Sequence, residues 1–345
     1  MYHASRAGNN RHRISAHFHS LARGLPRKVR RSSIPTCFLL PSTSNEGGRG
    51  FALIEAIQFW NEPNNLSHWD YTLDPEWRIF AQMVLYASAE VRKEAPGVTR
   101  VLGGLSPLDP DFADLMRRHG VADAVDVIAL HGFPLDWNLW QIDEWPEKVQ
   151  EMRQAAGCPV WVTEVGASSF GAEEVQVFGL KRTAEMLLPL VPRIHWYSLI
   201  DLPVEKGAVT RHKESEGSAY YRHFYFGLLR SDGTPKECLR HFPPEMGLCQ
   251  WVDYGDDAML ELIRSWLPRL GVKILRTGIS WADWHRPGAR LWYDRMMAAL
   301  RDFNLTVTLC FTPPSRGIVP NHTSPPQDVG EYAYFCWEVA RRYTD

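Results

Sequence analysis

Two glutamates carry the chemistry that the residue types and their spacing allow. Glu62 ends the apolar run LIEAIQFW in the context IQFWNEPNN, and Glu164 closes the run VWVTEVG. Each run reads as a short buried strand, so each carboxyl stands where an apolar strand gives way to a polar, aromatic cluster. A retaining glycosidase needs such a pair, one carboxyl holding a proton near neutral pH and one ionised, about 5 to 5.5 Å apart. Either glutamate alone is equally a satisfied structural carboxylate; only the pair meets the requirement. Arg276, in VKILRTGIS, is placed to keep Glu164 ionised, and its plainer alternative is a salt bridge at a barrel mouth. His131 closes VDVIALHGF, and its plain reading is a hydrogen-bonded histidine that caps a loop.

Fourteen tryptophans in 345 residues are more than core filling alone comfortably explains. Trp is rarely fully buried and its N–H needs a partner, so an indole-lined cleft is expected. Trp60, Trp251, Trp281 and Trp284 are the rim candidates beside the strand ends, some of them packing residues. The six cysteines (Cys37, Cys158, Cys238, Cys249, Cys310, Cys336) form no CxxC pair, which argues against a zinc knuckle or a disulfide framework. No metal cluster or cofactor motif is read, and none is expected.

The elements that must position these residues follow a regular beat. Strands are expected at 53–60, 99–105, 125–133, 160–166 and 193–200, with helices at 75–94, 110–119, 143–156 and 172–190 between them, and a further helix at 218–229. A turn-rich connector, 231–246, leads to strands at 247–252, 272–280 and 305–311, with helices at 256–269, 291–302 and 329–342. Eight Val/Ile/Leu-rich strands alternating with helices close most naturally into a (β/α)₈ barrel, whose chemistry gathers at the C-terminal strand ends. The rival doubly wound sheet lacks its phosphate-binding turn, since the glycines of VLGGLSP do not form GxGxxG.

These motifs resemble the retaining glycoside hydrolases of the large (β/α)₈ clan with the acid/base on strand 4 and the nucleophile on strand 7, most of all bacterial β-xylosidase-like (family 39-like) proteins. FWNEPN looks like strand 4 and VTEVG like strand 7, which implies Glu62 as acid/base, Glu164 as nucleophile and Asn61 on the substrate 2-hydroxyl. LRTGISWADW looks like strand 2 with its arginine, Arg276, and LCFTPPS like strand 3. HWYSLID looks like strand 8, which implies Trp196 as a floor under the sugar. His131 would stand at the end of strand 6, near the nucleophile. The resemblance covers nearly all of residues 50–345.

The order departs from the family: strands 4–8 come first and strands 1–3 follow residue 246. A circular permutant and a fragment of a tandem array both fit that order, and a domain-swapped dimer is as open as a monomer. The expected organisation is a basic extension over 1–48, strands 4–8 over 49–230, the connector 231–246, and strands 1–3 over 247–345 completing the same barrel. The extension holds eight basic residues and one acidic one, and its net +7 leaves about −9 on the rest of a chain whose total is −2. With little to bury it reads as a mobile tail, unless IPTCFLLP (34–41) packs on the barrel; an Arg-rich targeting segment is the remaining reading. Nothing in the charge balance points to nucleic acid, and no apolar run is long enough for a membrane span. The expectation is a cytoplasmic hydrolase of a β-linked carbohydrate. A noncatalytic carbohydrate-binding relative and a transglycosidase stand as alternatives.

Overall fold

The computed structural model describes residues 54–203 and 217–344. The expectations for residues 1–48, including IPTCFLLP, fall outside these residues. The chain divides into two units, Met1–Gly48 and Arg49–Asp345, and everything below concerns the second. Its strands are β1 (Ile54–Phe59), β2 (Thr99–Leu105), β3 (Val127–Gly132), β4 (Val160–Val165), β5 (Ile194–Tyr197), β6 (Gly247–Cys249), β7 (Ile274–Ser280) and β8 (Asn304–Cys310). Each pairs in parallel with the next, and β8 pairs back onto β1 through Ile57↔Val307 and Phe59↔Leu309, so the barrel is closed. Around it lie α1 (Arg78–Glu94), α2 (Pro110–Arg118), α3 (Val121–Ala124), α4 (Trp145–Ala156), α5 (Glu173–Leu187), α6 (Gly217–Arg222), α7 (Asp257–Trp266), α8 (Trp281–Trp284), α9 (Ala289–Ala299) and α10 (Val329–Tyr343). The (β/α)₈ barrel expected from the alternation is the fold observed.

Local chemistry sets the helix ends. Asp109 and Asp256 accept from the backbone N–H of Phe112 and Met259, capping α2 and α7, each worth about 1 kcal/mol. Gly157 stops α4 in the left-handed region, at φ 72°. Several expected elements prove shorter, three of them most clearly. The strand at 247–252 ends at Cys249, the strand at 193–200 ends at Tyr197, and the helix at 218–229 ends at Arg222 and continues only as a 3-10 turn over His223–Tyr225. Past those points the chain turns into loops: Leu199 N–H is held by the Gln250 side chain, and Leu229 bonds to the Leu199 carbonyl.

Strand alternation divides the barrel wall into two faces. On β1, Ile57 and Phe59 join the large core beneath the helices, whereas Ala56 belongs to a small inner cluster and Gln58 reaches Arg276. On β5, Ile194 and Trp196 face the helices. His195 and Tyr197 have the opposite parity and face the interior; a Cβ on Gly247 of the next strand would lie 2.9 Å from the His195 ring. None of the described helices is long and apolar enough to cross a membrane.

Candidate active site

Glu62 is aimed into the barrel mouth by a strained strand end. Trp60 and Glu62 take positive φ values of 68° and 42°, conformations that cost about 1–3 kcal/mol each and survive only where the surroundings enforce them. Enforcement comes from the Trp60 indole, which donates to the His68 carbonyl (3.0 Å), and from the Asn65 N–H, which donates to the Glu62 carbonyl (2.9 Å). Gly103 of β2 makes room for this turn, because a Cβ there would lie 2.9 Å from Pro63 Cδ.

The Glu62 carboxyl is almost fully enclosed. Its Oε2 accepts from Asn65 Nδ2 (2.9 Å) and lies 3.3 Å from His68 Nδ1, and its Oε1 lies 2.8 Å from His131 Nδ1. His131 Nδ1 also lies 3.6 Å from Glu164 Oε2, and its Nε2 is 3.0 Å from Thr163 Oγ1. Burial, and then the charges of Arg276, His68 and His195, hold His131 well below the ordinary histidine range, so the ring is neutral. The histidine lies near Glu164, as expected, but not beside it alone. It touches both carboxyls, and its close contact is with Glu62.

Arg276 of β7 holds three oxygen acceptors with one guanidinium. Nη1 donates to Glu164 Oε1 (2.5 Å), Nη2 to Asn61 Oδ1 (2.6 Å), and Nε to Gln58 Oε1 (3.3 Å). Burial holds the Glu164 pKa above the ordinary glutamate value, opposed by the charge and hydrogen bond of Arg276. Arginine does not release its proton, so direct contact favours the carboxylate. Holding Oδ1 of Asn61 also fixes which way that amide points, and leaves its NH₂ as the group available to a ligand. Cys249 Sγ lies 3.0 Å from Arg276 Nη1; burial pushes this thiol up to about 12, so it remains protonated.

One oxygen of Glu62 and one of Glu164 lie within 4.8 Å of one another, with His131 Nδ1 in the same group. These three are the group among the described residues with metal-ligating spacing. Arg276 disfavours a cation there, since its charge already occupies Glu164 Oε1.

A cleft of about 520 Å³ opens above the pair. Asn61, Glu62, Glu164 and Arg276 line it, and His131 lies directly beneath, fully buried. Trp196 and Trp281 do not join them, which corrects both expectations. Trp196 is wholly buried beneath the helices, and the cleft-facing aromatic of β5 is its neighbour Tyr197. A shift of one residue along a strand exchanges the two faces. Trp281 is buried against Phe335 (6.2 Å, stacked) and Tyr332 (5.4 Å, edge-on). Trp60 and Trp284 are packing residues too, with Trp284 Nε1 donating to Glu338. Of the rim candidates only Trp251 lines the cleft, lying over Gly278, where a Cβ would come within 1.7 Å of its ring. Sequence reasoning missed Trp137, which lines the cleft stacked on His223 (4.7 Å, 22°), and His68. Trp137 lies in the loop after β3, whose course the strand pattern does not disclose. His68, six residues beyond Glu62, was within reach of a reading of the turn after NEP.

No family model matches the chain, and no curated protein matches it. Among solved structures, it is similar to a GH2 β-galacturonidase from Eisenbergiella tayi (14% identity over 41% of this chain and 32% of that one, TM-score 0.30). It is also similar to a family 39 glycoside hydrolase from the gut symbiont Bacteroides cellulosilyticus WH2 (22% identity, 43% and 33%, TM-score 0.30). A third is a GH128 endo-β-1,3-glucanase from Amycolatopsis mediterranei (19% identity, 41% and 56%, TM-score 0.28). The chain spans about a third of the length of the first two. These neighbours are glycoside hydrolases, but likeness at this level carries no argument about activity, and the barrel stands on its own strand pairing.

Proposed function

We propose that the cleft is the active site of a retaining glycoside hydrolase acting on a β-linked, xyloside-like substrate. The supporting observation is the carboxyl pair: oxygens of Glu62 and Glu164 within 4.8 Å, with Glu164 ion-paired to Arg276. Carboxyl oxygens this close suit direct attack by a carboxylate, whose retaining pair stands about 5–5.5 Å apart. In this reading Glu164 attacks C1 while Glu62 gives its proton to the leaving oxygen, forming a glycosyl-enzyme. Glu62 then takes a proton from water as that water displaces Glu164. Asn61, its carbonyl held by Arg276, donates from Nδ2 to the 2-hydroxyl. The chain order is read as permuted, with β1 to β5 taking the place of strands 4–8 and β6 to β8 that of strands 1–3. A panel of aryl β-glycosides tests the function. Turnover is expected for the native chain and loss of at least about a thousandfold for Glu164→Gln, the scale of removing a nucleophile. Binding without turnover by the native chain would leave a carbohydrate-binding protein in place of an enzyme.

A further inference from the structure

Thr163 hides a hydroxyl inside the barrel, and its one hydrogen-bond partner among the described residues is His131 Nε2 at 3.0 Å. A buried O–H left without an acceptor costs about 1–3 kcal/mol. Were Nε2 to carry the imidazole proton, it would donate to Thr163 Oγ1, and the threonine's own proton would have no acceptor among the described residues. The tautomer that satisfies both groups has the Thr163 O–H donating to a bare Nε2 and the proton on Nδ1. That Nδ1–H points at Glu62 Oε1, 2.8 Å away. The ring has been given its place: a Cβ on Gly104 of β2 would fall 1.8 Å from Nε2.

Resting on the hydrolase reading, we propose that Thr163 and His131 are positioning residues that confine the working proton of Glu62 to Oε2. Oε1 accepts the Nδ1–H at 2.8 Å, and a proton on Glu62 is placed on Oε2, which accepts from Asn65 Nδ2 on one side and keeps its other site beside the cleft residue His68. In the first step the Oε2–H bond breaks as a bond forms between that proton and the leaving oxygen. In the second an O–H bond of water breaks and its proton returns to Oε2. The imidazole keeps its tautomer and its neutrality throughout, as its burial requires. The reverse tautomer would draw the proton onto Oε1, facing the histidine and away from the cleft.

Two measurements test this. In protein with ¹⁵N-labelled histidine, the resonance lost in His131→Gln identifies the ring; the account expects a protonated Nδ1 and a bare Nε2, and a protonated Nε2 overturns it. This readout needs no catalysis, so it holds apart a failure of the tautomer assignment and a failure of the hydrolase reading. Kinetics on a leaving-group series supplies the second. Thr163→Val should lose about tenfold to a hundredfold on alkyl glycosides, which need the proton, and at most a few-fold on dinitrophenyl glycosides, which do not. Thr163→Ser should restore the alkyl rate. Equal losses across the series would show a merely structural threonine and overturn the proposal.

Discussion

Arg276 joins residues far apart in sequence by touching Gln58, Asn61 and Glu164 with one planar group. Lysine could keep the charge near Glu164 but has no fork with which to hold the Asn61 carbonyl as well. Arg276→Lys should therefore lower kcat/KM by about tenfold to a hundredfold, the loss expected for a charged hydrogen bond. The deficit should shrink on 2-deoxy glycosides, where Asn61 has no hydroxyl to meet; an undiminished deficit would separate Asn61 from the 2-hydroxyl. At this scale the sequence disclosed the actors better than their pairings. NEP and TEVG mark carboxyls at strand ends, and Arg276 was expected beside Glu164, where it lies. That His131 contacts Glu62 more closely than Glu164 depends on a register shift between Leu130 and His131 in the β3–β4 pairing, which strand patterns do not encode.

At the scale of elements, parity decides which aromatic meets a ligand. Trp196 and Tyr197 are adjacent, yet one packs beneath the helices and the other lines the cleft. Trp196→Phe should cost about 1–3 kcal/mol in urea unfolding and leave KM unchanged, while Tyr197→Ala should raise KM with a smaller loss of stability. The reverse pattern would put the β5 register in error. Gly104→Ala makes a second test of element geometry. Its methyl collides with the His131 ring, so activity should fall well beyond what a destabilisation of about 1–3 kcal/mol accounts for. The eight strands were legible because each is a short apolar run ending in a polar cluster. What misled was apolar sequence just past a strand, as in WYSLI and CQWV: these residues are buried by loops held on the Gln250 amide, which raises hydrophobicity without extending the ladder.

Among the described residues, two neutral histidines lie inside the barrel. His131 and His195 are both held well below the usual histidine range, by burial first and then by arginine charges, Arg276 for His131 and Arg193 and Arg276 for His195. An unfolded chain would protonate them near pH 6.5. Their folded pKa is depressed, so stability is full above pH 6.5 and falls as pH drops below it, by about 1.4 kcal/mol per pH unit for each ring. Between pH 6.5 and about 5 the urea midpoint should therefore decline, and His195→Gln should remove about half of that slope. Parallel curves for the two proteins would mean that His195 is not a buried neutral base.

In the proposed mechanism Glu164 becomes covalently attached to sugar during turnover. Incubation with a 2-deoxy-2-fluoro β-glycoside bearing an activated leaving group, followed by intact mass and peptide mapping, reads it directly. The account predicts the mass gain of a single fluoroglycosyl group on the peptide carrying Glu164, its absence in Glu164→Gln, and loss of activity in step with labelling. A label on any other residue, or steady turnover of natural β-glycosides without a trapped adduct, would contradict it.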